Sequence, residues 1–107
     1  MGHVDADRRL EELLADLDEA IGVLSDAGET RWKSWLERDR ARIAAGDPYG
    51  VDSLLRAFGG MGSFNDLVLA QPDADPSQVD LLRRADQRLW DLRAQIWQGC
   101  RELSRQP

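Results

Sequence analysis

The sequence has very little of the side-chain chemistry that enzymes and metal sites use. It contains one cysteine, Cys100, and one histidine, His3. A single cysteine excludes an internal disulfide, and without a second histidine or cysteine the usual zinc ligand sets cannot be assembled. Hydrolysis by a serine or cysteine nucleophile would depend on His3 as the base, at the very start of the chain. We therefore expect no catalytic residues, no metal site and no cofactor.

Long apolar runs and strand-like alternation are also missing. No stretch approaches the length that spans a membrane, and the N terminus shows no signal-peptide pattern, so we expect a cytoplasmic protein without a membrane partner. No alternation of apolar and polar residues extends beyond three positions, which favours an all-α fold. A chain of 107 residues is sized for one core, and we expect residues 1–107 to form a single helical domain.

The negative charge is concentrated in the N-terminal quarter. The net charge is −6, and residues 4–29 hold nine acidic residues and two arginines. The rest of the chain is therefore close to neutral. This distribution disfavours direct binding of nucleic acid, and it favours a basic protein partner or simply solubility.

An apolar repeat of 3.6 residues predicts a first helix over about residues 5–26, with residues 1–4 frayed. The apolar stripe consists of Leu10, Leu13, Leu14, Leu17, Ile21 and Leu24. The opposite face carries Glu12, Asp16 and Glu19. A face of like charges is usually solvated, and as an alternative it can steer a basic partner.

A second helix is predicted from Thr30, as its N-cap, to about Ala45, with Gly46 ending it. Its apolar face consists of Trp32, Trp35, Leu36 and Ile43. Asp39 falls within this stripe, and a carboxylate there needs a partner, for which Arg42 or an arginine of another helix would serve.

Three glycines and two phenylalanines are clustered in residues 58–67, which we name the glycine corner. Its sequence is Phe58-Gly59-Gly60-Met61-Gly62-Ser63-Phe64-Asn65-Asp66-Leu67. After a turn at residues 47–50, a short helix should run to Phe58, where the glycines end it. A second short helix should begin at Ser63 as its N-cap, with Phe64, Leu67 and Val68 facing inward.

The glycine corner has two interpretations. In the structural one, the glycines let two short helices turn sharply and pack closely. In the other, the backbone N–H groups of Gly62, Ser63 and Phe64 bind an anion at the start of a helix, with Asn65 and Asp66 close by. Phosphate loops of the known types follow a strand and carry a lysine, and both are missing here. We favour the structural interpretation and keep the anion site as an alternative. The residues of either would be Phe58, Gly59, Gly60, Gly62, Ser63, Phe64, Asn65 and Asp66.

The C-terminal helix is predicted to be the longest. Residues 71–76 form a connecting loop, and Ser77 should be the N-cap. The buried seam alternates spacings of three and four: Leu82, Ala85, Leu89, Leu92, Ile96, Gly99 and Leu103. Trp90 and Trp97 lie seven residues apart beside this seam, so either this domain or a second chain covers them, and we favour the domain.

Cys100 should be buried. The arginines should mostly face away and pair with the acidic first helix: Arg83, Arg84, Arg88, Arg93, Arg101 and Arg105.

The run from Phe58 to Leu69 resembles the hallmark of an uncharacterised family of small bacterial proteins. In that family a Trp-x-x-Trp-like segment and a Gly-Asp pair come before the run, and Trp32-Lys-Ser-Trp35 and Gly46-Asp47 match them here. The resemblance covers roughly residues 10–70 and leaves the C-terminal helix outside. It implies a bacterial origin and no established activity.

Together these patterns predict a compact antiparallel bundle of three main helices, with two short helices joined by the glycine corner. We expect a non-enzymatic protein-binding module, such as an immunity or antitoxin-like protein that neutralises a basic toxin through its acidic helical face. Glu12, Asp16 and Glu19 would steer the partner, and Trp90 and Trp97, if exposed, would contact it. One alternative is a structural or regulatory homodimer formed through the C-terminal helix. A further alternative is a binder of small anions or ligands at the glycine corner.

Overall fold

Within the residues that the structure describes, the protein is a bundle of four α-helices, and the all-α class that the sequence predicts is confirmed. The computed structural model describes residues 2–59 and 63–104, with side chains from residue 7 onward, and contains no strand in those ranges. The helices are α1 (Gly2–Asp26), α2 (Thr30–Ala44), α3 (Pro48–Arg56) and α4 (Val79–Ser104), with 3-10 turns at Phe64–Asp66 and Pro76–Gln78. The predicted second short helix is thus a single 3-10 turn.

The two long helices, α1 and α4, pack side by side and run antiparallel. Leu13 approaches Gly99 so closely that a Cβ atom at Gly99 would lie 3.4 Å from Leu13 Cδ1. Further along α1, Glu19 accepts a hydrogen bond of 2.7 Å from Nη2 of Arg88. Later residues of α1 therefore meet earlier residues of α4. The predicted pairing between arginines of the C-terminal helix and the acidic first helix is confirmed for Arg88.

The connection between α1 and α2 is a tight one, and it differs in detail from the prediction. Gly28 has a φ of +74°, a backbone conformation that favours glycine. The N-cap of α2 is Glu29, whose side chain makes no capping hydrogen bond, so the prediction that Thr30 is the N-cap is wrong. Arg40 of α2 then reaches back to Asp18 of α1, with Nε 2.9 Å from Oδ1. This bidentate pair fixes the hairpin of the two helices.

Helix α3 begins inside the segment that we expected to be a turn. The side chain of Asp47 accepts a hydrogen bond of 3.0 Å from the N–H of Tyr49, and Pro48 occupies the first helical position. An aspartate N-cap followed by proline is a strong helix start, because proline loses no helical hydrogen bond there. The turn predicted for residues 47–50 is therefore the first turn of α3.

A similar correction applies to the start of α4. Asp75, not Ser77, is the capping residue: its Oδ1 accepts hydrogen bonds from the N–H and the hydroxyl of Ser77, at 3.0 and 2.9 Å. The 3-10 turn Pro76–Gln78 follows, and α4 begins at Val79. Hydrogen bonds to a charged carboxylate are stronger than those to a neutral hydroxyl, which favours Asp75 at this position.

The core is apolar and lies between all four helices. Its fully buried members on the long helices match the predicted stripes closely, and Cys100 is buried as expected. They are Leu13, Leu17, Ala20, Leu24, Leu89, Leu92, Ile96 and Cys100. Leu69 is also buried, whereas Val68, which we expected to face inward, is 50% exposed.

Asp39 is a buried carboxylate inside this core, at a relative exposure of 1%. Its Oδ1 lies 3.4 Å from Nη1 of Arg42, which confirms the expected pair. Burial raises the pKa of Asp39, and the nearby side chains of Ser53 and Trp35, followed by the arginines, offset part of that rise. Oδ2 of Asp39 and Nε1 of Trp35 are buried without a hydrogen-bond partner among the described residues.

Gly50 lies at a close approach of α3 to α2. A Cβ atom at Gly50 would lie 2.9 Å from Cβ of Arg42 and 3.0 Å from the backbone nitrogen of Ile43. Since backbone cannot yield as a flexible side chain does, Gly50→Ala should lower the free energy of unfolding by about 1–3 kcal/mol. Urea denaturation measures this change.

Gly22 provides the matched control, because a Cβ atom there meets no heavy atom within 4 Å. Gly22 lies inside α1, so Gly22→Ala should raise the free energy of unfolding by about 0.5–1 kcal/mol. A Gly50→Ala protein as stable as the wild type would contradict the close approach of α2 and α3.

Candidate functional site

An open groove lies between α4 and the glycine corner, and we name it the aromatic groove. It has a volume of about 500 Å³. The residues that line it are Phe58, Asn65, Trp90, Arg93, Ala94 and Trp97. The groove therefore brings together two features that the sequence analysis treated separately, the tryptophan flank of α4 and the glycine corner.

The α4 wall of the groove is formed by two exposed tryptophans. Trp90 is 67% exposed and Trp97 is 42% exposed. They lie two turns apart on one side of the helix, and the small side chain of Ala94 between them leaves room for the groove. The expectation that this domain covers the tryptophan flank is wrong, because the other helices pack against the seam beside it.

The opposite wall is fixed by the burial of Phe64. Its ring is fully buried, with centroid distances of 5.5 Å to Trp32 and 5.6 Å to Phe58. The N–H of Phe64 donates to the carbonyl of Ala57 at 2.7 Å. The side-chain amide of Asn65 donates to the carbonyl of Phe58 at 3.1 Å. These contacts leave Phe58 half-buried at the rim, where it faces the groove.

Arg93 lines the groove beside the tryptophans and is almost completely buried, at 8% exposure. Its Nη2 donates to the carbonyl of Leu67 at 2.6 Å, and its Cζ lies 5.1 Å from the centroid of Phe64. Burial lowers the pKa of Arg93, and Asp86 and Asp66 partly offset this. The prediction that this arginine faces away from the protein is wrong.

Asp86 of α4 attaches the segment after the glycine corner to the helix. Its two carboxylate oxygens accept hydrogen bonds from the N–H groups of Leu69, at 2.7 Å, and of Ala70, at 2.9 Å. Hydrogen bonds to a carboxylate are stronger than those to a neutral acceptor. Asp86 and Arg93 therefore hold residues 67–70 against α4 from both sides of the backbone.

Helical periodicity did not predict these roles for Arg93 and Asp86. Both residues lie beside apolar positions of a helix that is rich in charge, so periodicity alone assigns them to solvent. The usable signal was the spacing of seven between them, which places both on one side of α4 together with Trp90 and Trp97.

The predicted steering residues lie elsewhere, on α1. Glu12 pairs with Arg8 at 3.4 Å, and Glu19 is held by Arg88, whose hydrogen bond lowers the pKa of Glu19. Burial and the charge of Glu19 raise the pKa of Asp16, which is half-buried. At about 100° per residue, Arg88 lies about 200° around α4 from Trp90. The acidic face and the aromatic groove thus lie on different sides of the bundle.

Part of the proposed anion site cannot be compared with the structure, because Gly60 and Gly62 lie outside the described residues. Ser63 has the extended backbone of an N-cap but makes no capping hydrogen bond through its side chain. It is buried and does not line the aromatic groove. Gly59 is exposed and Asp66 lies in the 3-10 turn.

Nucleophilic and metal-binding groups do not meet in the described part of the chain. Burial raises the pKa of the Cys100 thiol to about 12, so the thiol is not ionised at neutral pH. Among residues 2–59 and 63–104, no three His, Cys, Asp or Glu side chains are placed to hold a metal ion. None of the helices within those ranges is both long and apolar enough to cross a membrane.

Comparison with known proteins finds a match for part of the chain, to a domain that has no assigned function. Residues 25–77 match the model of a domain of unknown function (DUF6966). The matched stretch contains α2, α3 and the glycine corner, while most of α1 and all of α4 lie outside it. No curated protein and no solved structure matches this chain. Phe58 and Asn65 therefore lie within the matched stretch, and the two tryptophans of the groove lie outside it.

Removal of the Asp86 carboxylate tests how residues 67–70 are held. Asp86→Ala leaves the N–H groups of Leu69 and Ala70 without their partner, so the free energy of unfolding should fall by about 1–3 kcal/mol. Hydrogen exchange of those two amides, measured by NMR, should become faster.

Asp91→Ala is the matched control, because Asp91 is an exposed acid on the same helix. It should change the free energy of unfolding by less than about 0.5 kcal/mol. Unchanged exchange of Leu69 and Ala70 in Asp86→Ala would show that these hydrogen bonds do not hold the segment.

Proposed function

We propose that this protein is a non-enzymatic binding module that recognises another protein through the aromatic groove. The observation that supports it most is the exposure of Trp90 and Trp97 on one side of α4, opposite Phe58. Tryptophan is enriched at protein interfaces because its large ring combines apolar contact with an N–H donor. A groove of about 500 Å³ has room for large side chains of a partner.

The specific form of this proposal is an immunity or antitoxin-like protein of the bacterial cytoplasm. It is supported by the resemblance to a bacterial family and by the acidic face of α1, which would steer a basic toxin toward the protein. Glu12 and Asp16 would carry this role. Glu19 would contribute less, because Arg88 already neutralises it.

A homodimer is the second candidate, and the same two tryptophans favour it. They lie on a helix of 26 residues, so two copies of α4 could cover each other's exposed rings. Sedimentation at micromolar concentration separates the candidates, since a monomer supports binding of a different protein and a dimer supports self-association.

The anion-binding alternative has less support. The side-chain amide of Asn65 is already bound to the carbonyl of Phe58, and Ser63 is buried away from the groove.

Truncation of the two groove tryptophans tests the proposed function. In cells of the source organism, a tagged wild-type protein should crosslink to one partner in stoichiometric amount. Trp90→Ala combined with Trp97→Ala should reduce that capture at least about tenfold, because each interface tryptophan contributes 1 kcal/mol or more. Mass spectrometry of the crosslinked complex measures the loss.

Leu81→Ala is the matched control, because Leu81 is 57% exposed on the same helix but does not line the groove. It should retain the partner. Circular dichroism should show that the double variant and the Leu81→Ala control both keep the helical content of the wild type. Equal capture by the double variant and the wild type would exclude the aromatic groove as the interface.

A further inference from the structure

The side of α4 that carries the aromatic groove also carries three arginines, although the protein as a whole is acidic. Arg83 is exposed and lies seven residues before Trp90, hence on the same side of the helix. At the other end, Cζ of Arg101 lies 5.2 Å from the centroid of Trp97. Arg93 lies between them, in the wall of the groove itself. The tryptophans are therefore bracketed by arginines.

Two acids lie near Arg93 and offset part of its charge. The pKa of Arg93 responds to the charges of both Asp86 and Asp66. Both carboxylate oxygens of Asp86, however, accept hydrogen bonds from backbone amides, and a shared charge is a weaker counterion. Of the three arginines, two have no acid within ion-pair distance among the described residues: Arg83 and Arg101.

The guanidinium of Arg93 is also incompletely satisfied. Its Nη2 donates to Leu67, but its Nε is buried and has no hydrogen-bond partner among the described residues. The buried Nε cannot meet a partner, but Arg93 also lines the groove, where its positive charge attracts a carboxylate. The planar fork of an arginine side chain matches a carboxylate better than any other common group.

We propose that the aromatic groove binds an acidic, apolar segment of a partner protein. A large apolar side chain of that segment packs between Trp90 and Trp97, and a neighbouring Asp or Glu accepts hydrogen bonds from Arg93. This inference rests on the proposed function and names the chemistry of the partner at the groove. It assigns to the groove the opposite charge preference from that of the acidic face of α1.

Three peptides that differ in one residue test this preference on the wild-type protein. Acetylated and amidated pentapeptides with Leu-Glu-Leu, Leu-Gln-Leu and Leu-Lys-Leu centres are titrated while the indole N–H resonances of Trp90 and Trp97 are followed by NMR. The Glu peptide should bind at least about threefold more tightly than the Gln peptide, as expected for one partly screened ion pair. The Lys peptide should bind most weakly.

The arginine itself is tested with Arg93→Gln, and Arg84→Gln is the control, since Arg84 is exposed and does not line the groove. The Glu preference should disappear in Arg93→Gln and persist in Arg84→Gln. If Arg93→Gln does not fold, the three peptides on the wild-type protein still decide the question.

Equal binding of the Glu and Gln peptides, a preference for Lys, or no shift of either tryptophan would overturn the inference. A dimer in sedimentation that buries the two tryptophans would also overturn it, because a second copy would then occupy the groove. If the Glu and Gln peptides bind equally while the Trp90→Ala, Trp97→Ala double variant still loses its partner, that result would overturn this inference and leave the proposed function intact.

Discussion

The burial of Phe64 determines where the aromatic groove lies. The Phe64 ring contacts Trp32 of α2, Phe58 at the end of α3 and Arg93 of α4, so one side chain joins three helices. Full burial of a phenylalanine contributes roughly 1.5–3 kcal/mol of apolar transfer free energy, and the aromatic pairs add to it. Because its own N–H is bound to Ala57, the chain must return toward α3 directly after the glycines. The groove is the space that this return leaves open in front of α4.

The polar contacts of α4 then hold the chain in that position. Arg93 donates to the carbonyl of Leu67, and Asp86 accepts from the N–H groups of Leu69 and Ala70. A cation and an anion on one helix thus bind the acceptor and the donor groups of the same backbone segment. Loops without regular structure need such partners when they are packed against a core. Arg93 therefore has two roles in this description: it stabilises the corner, and it places a positive charge beside the exposed tryptophans.

The sequence predicted the positions of the helices better than it predicted which sides of them are buried. The apolar stripes of α1 and α4 and the burial of Cys100 follow from helical periodicity and are confirmed. Periodicity does not tell which sides of a helix its neighbours cover, so the exposure of Trp90 and Trp97 and the burial of Arg93 could not be derived from it. The caps at Glu29 and Asp75 were missed because adjacent polar residues compete for one position, and only the backbone geometry decides between them. Gly50, where a Cβ atom would collide with α2, lies outside the run of glycines in the glycine corner.

The most direct measurement of an exposed and positively charged groove is quenching of tryptophan fluorescence by iodide and by caesium. Of the four tryptophans in the chain, Trp90 and Trp97 are exposed, whereas Trp32 is buried and Trp35 is half-buried. Iodide should quench the wild-type protein more strongly than caesium, despite the net charge of −6, because arginines surround the exposed rings. Trp90→Phe combined with Trp97→Phe should remove most of the quenching. Stronger quenching by caesium, or quenching that survives in the double variant, would contradict the proposed site.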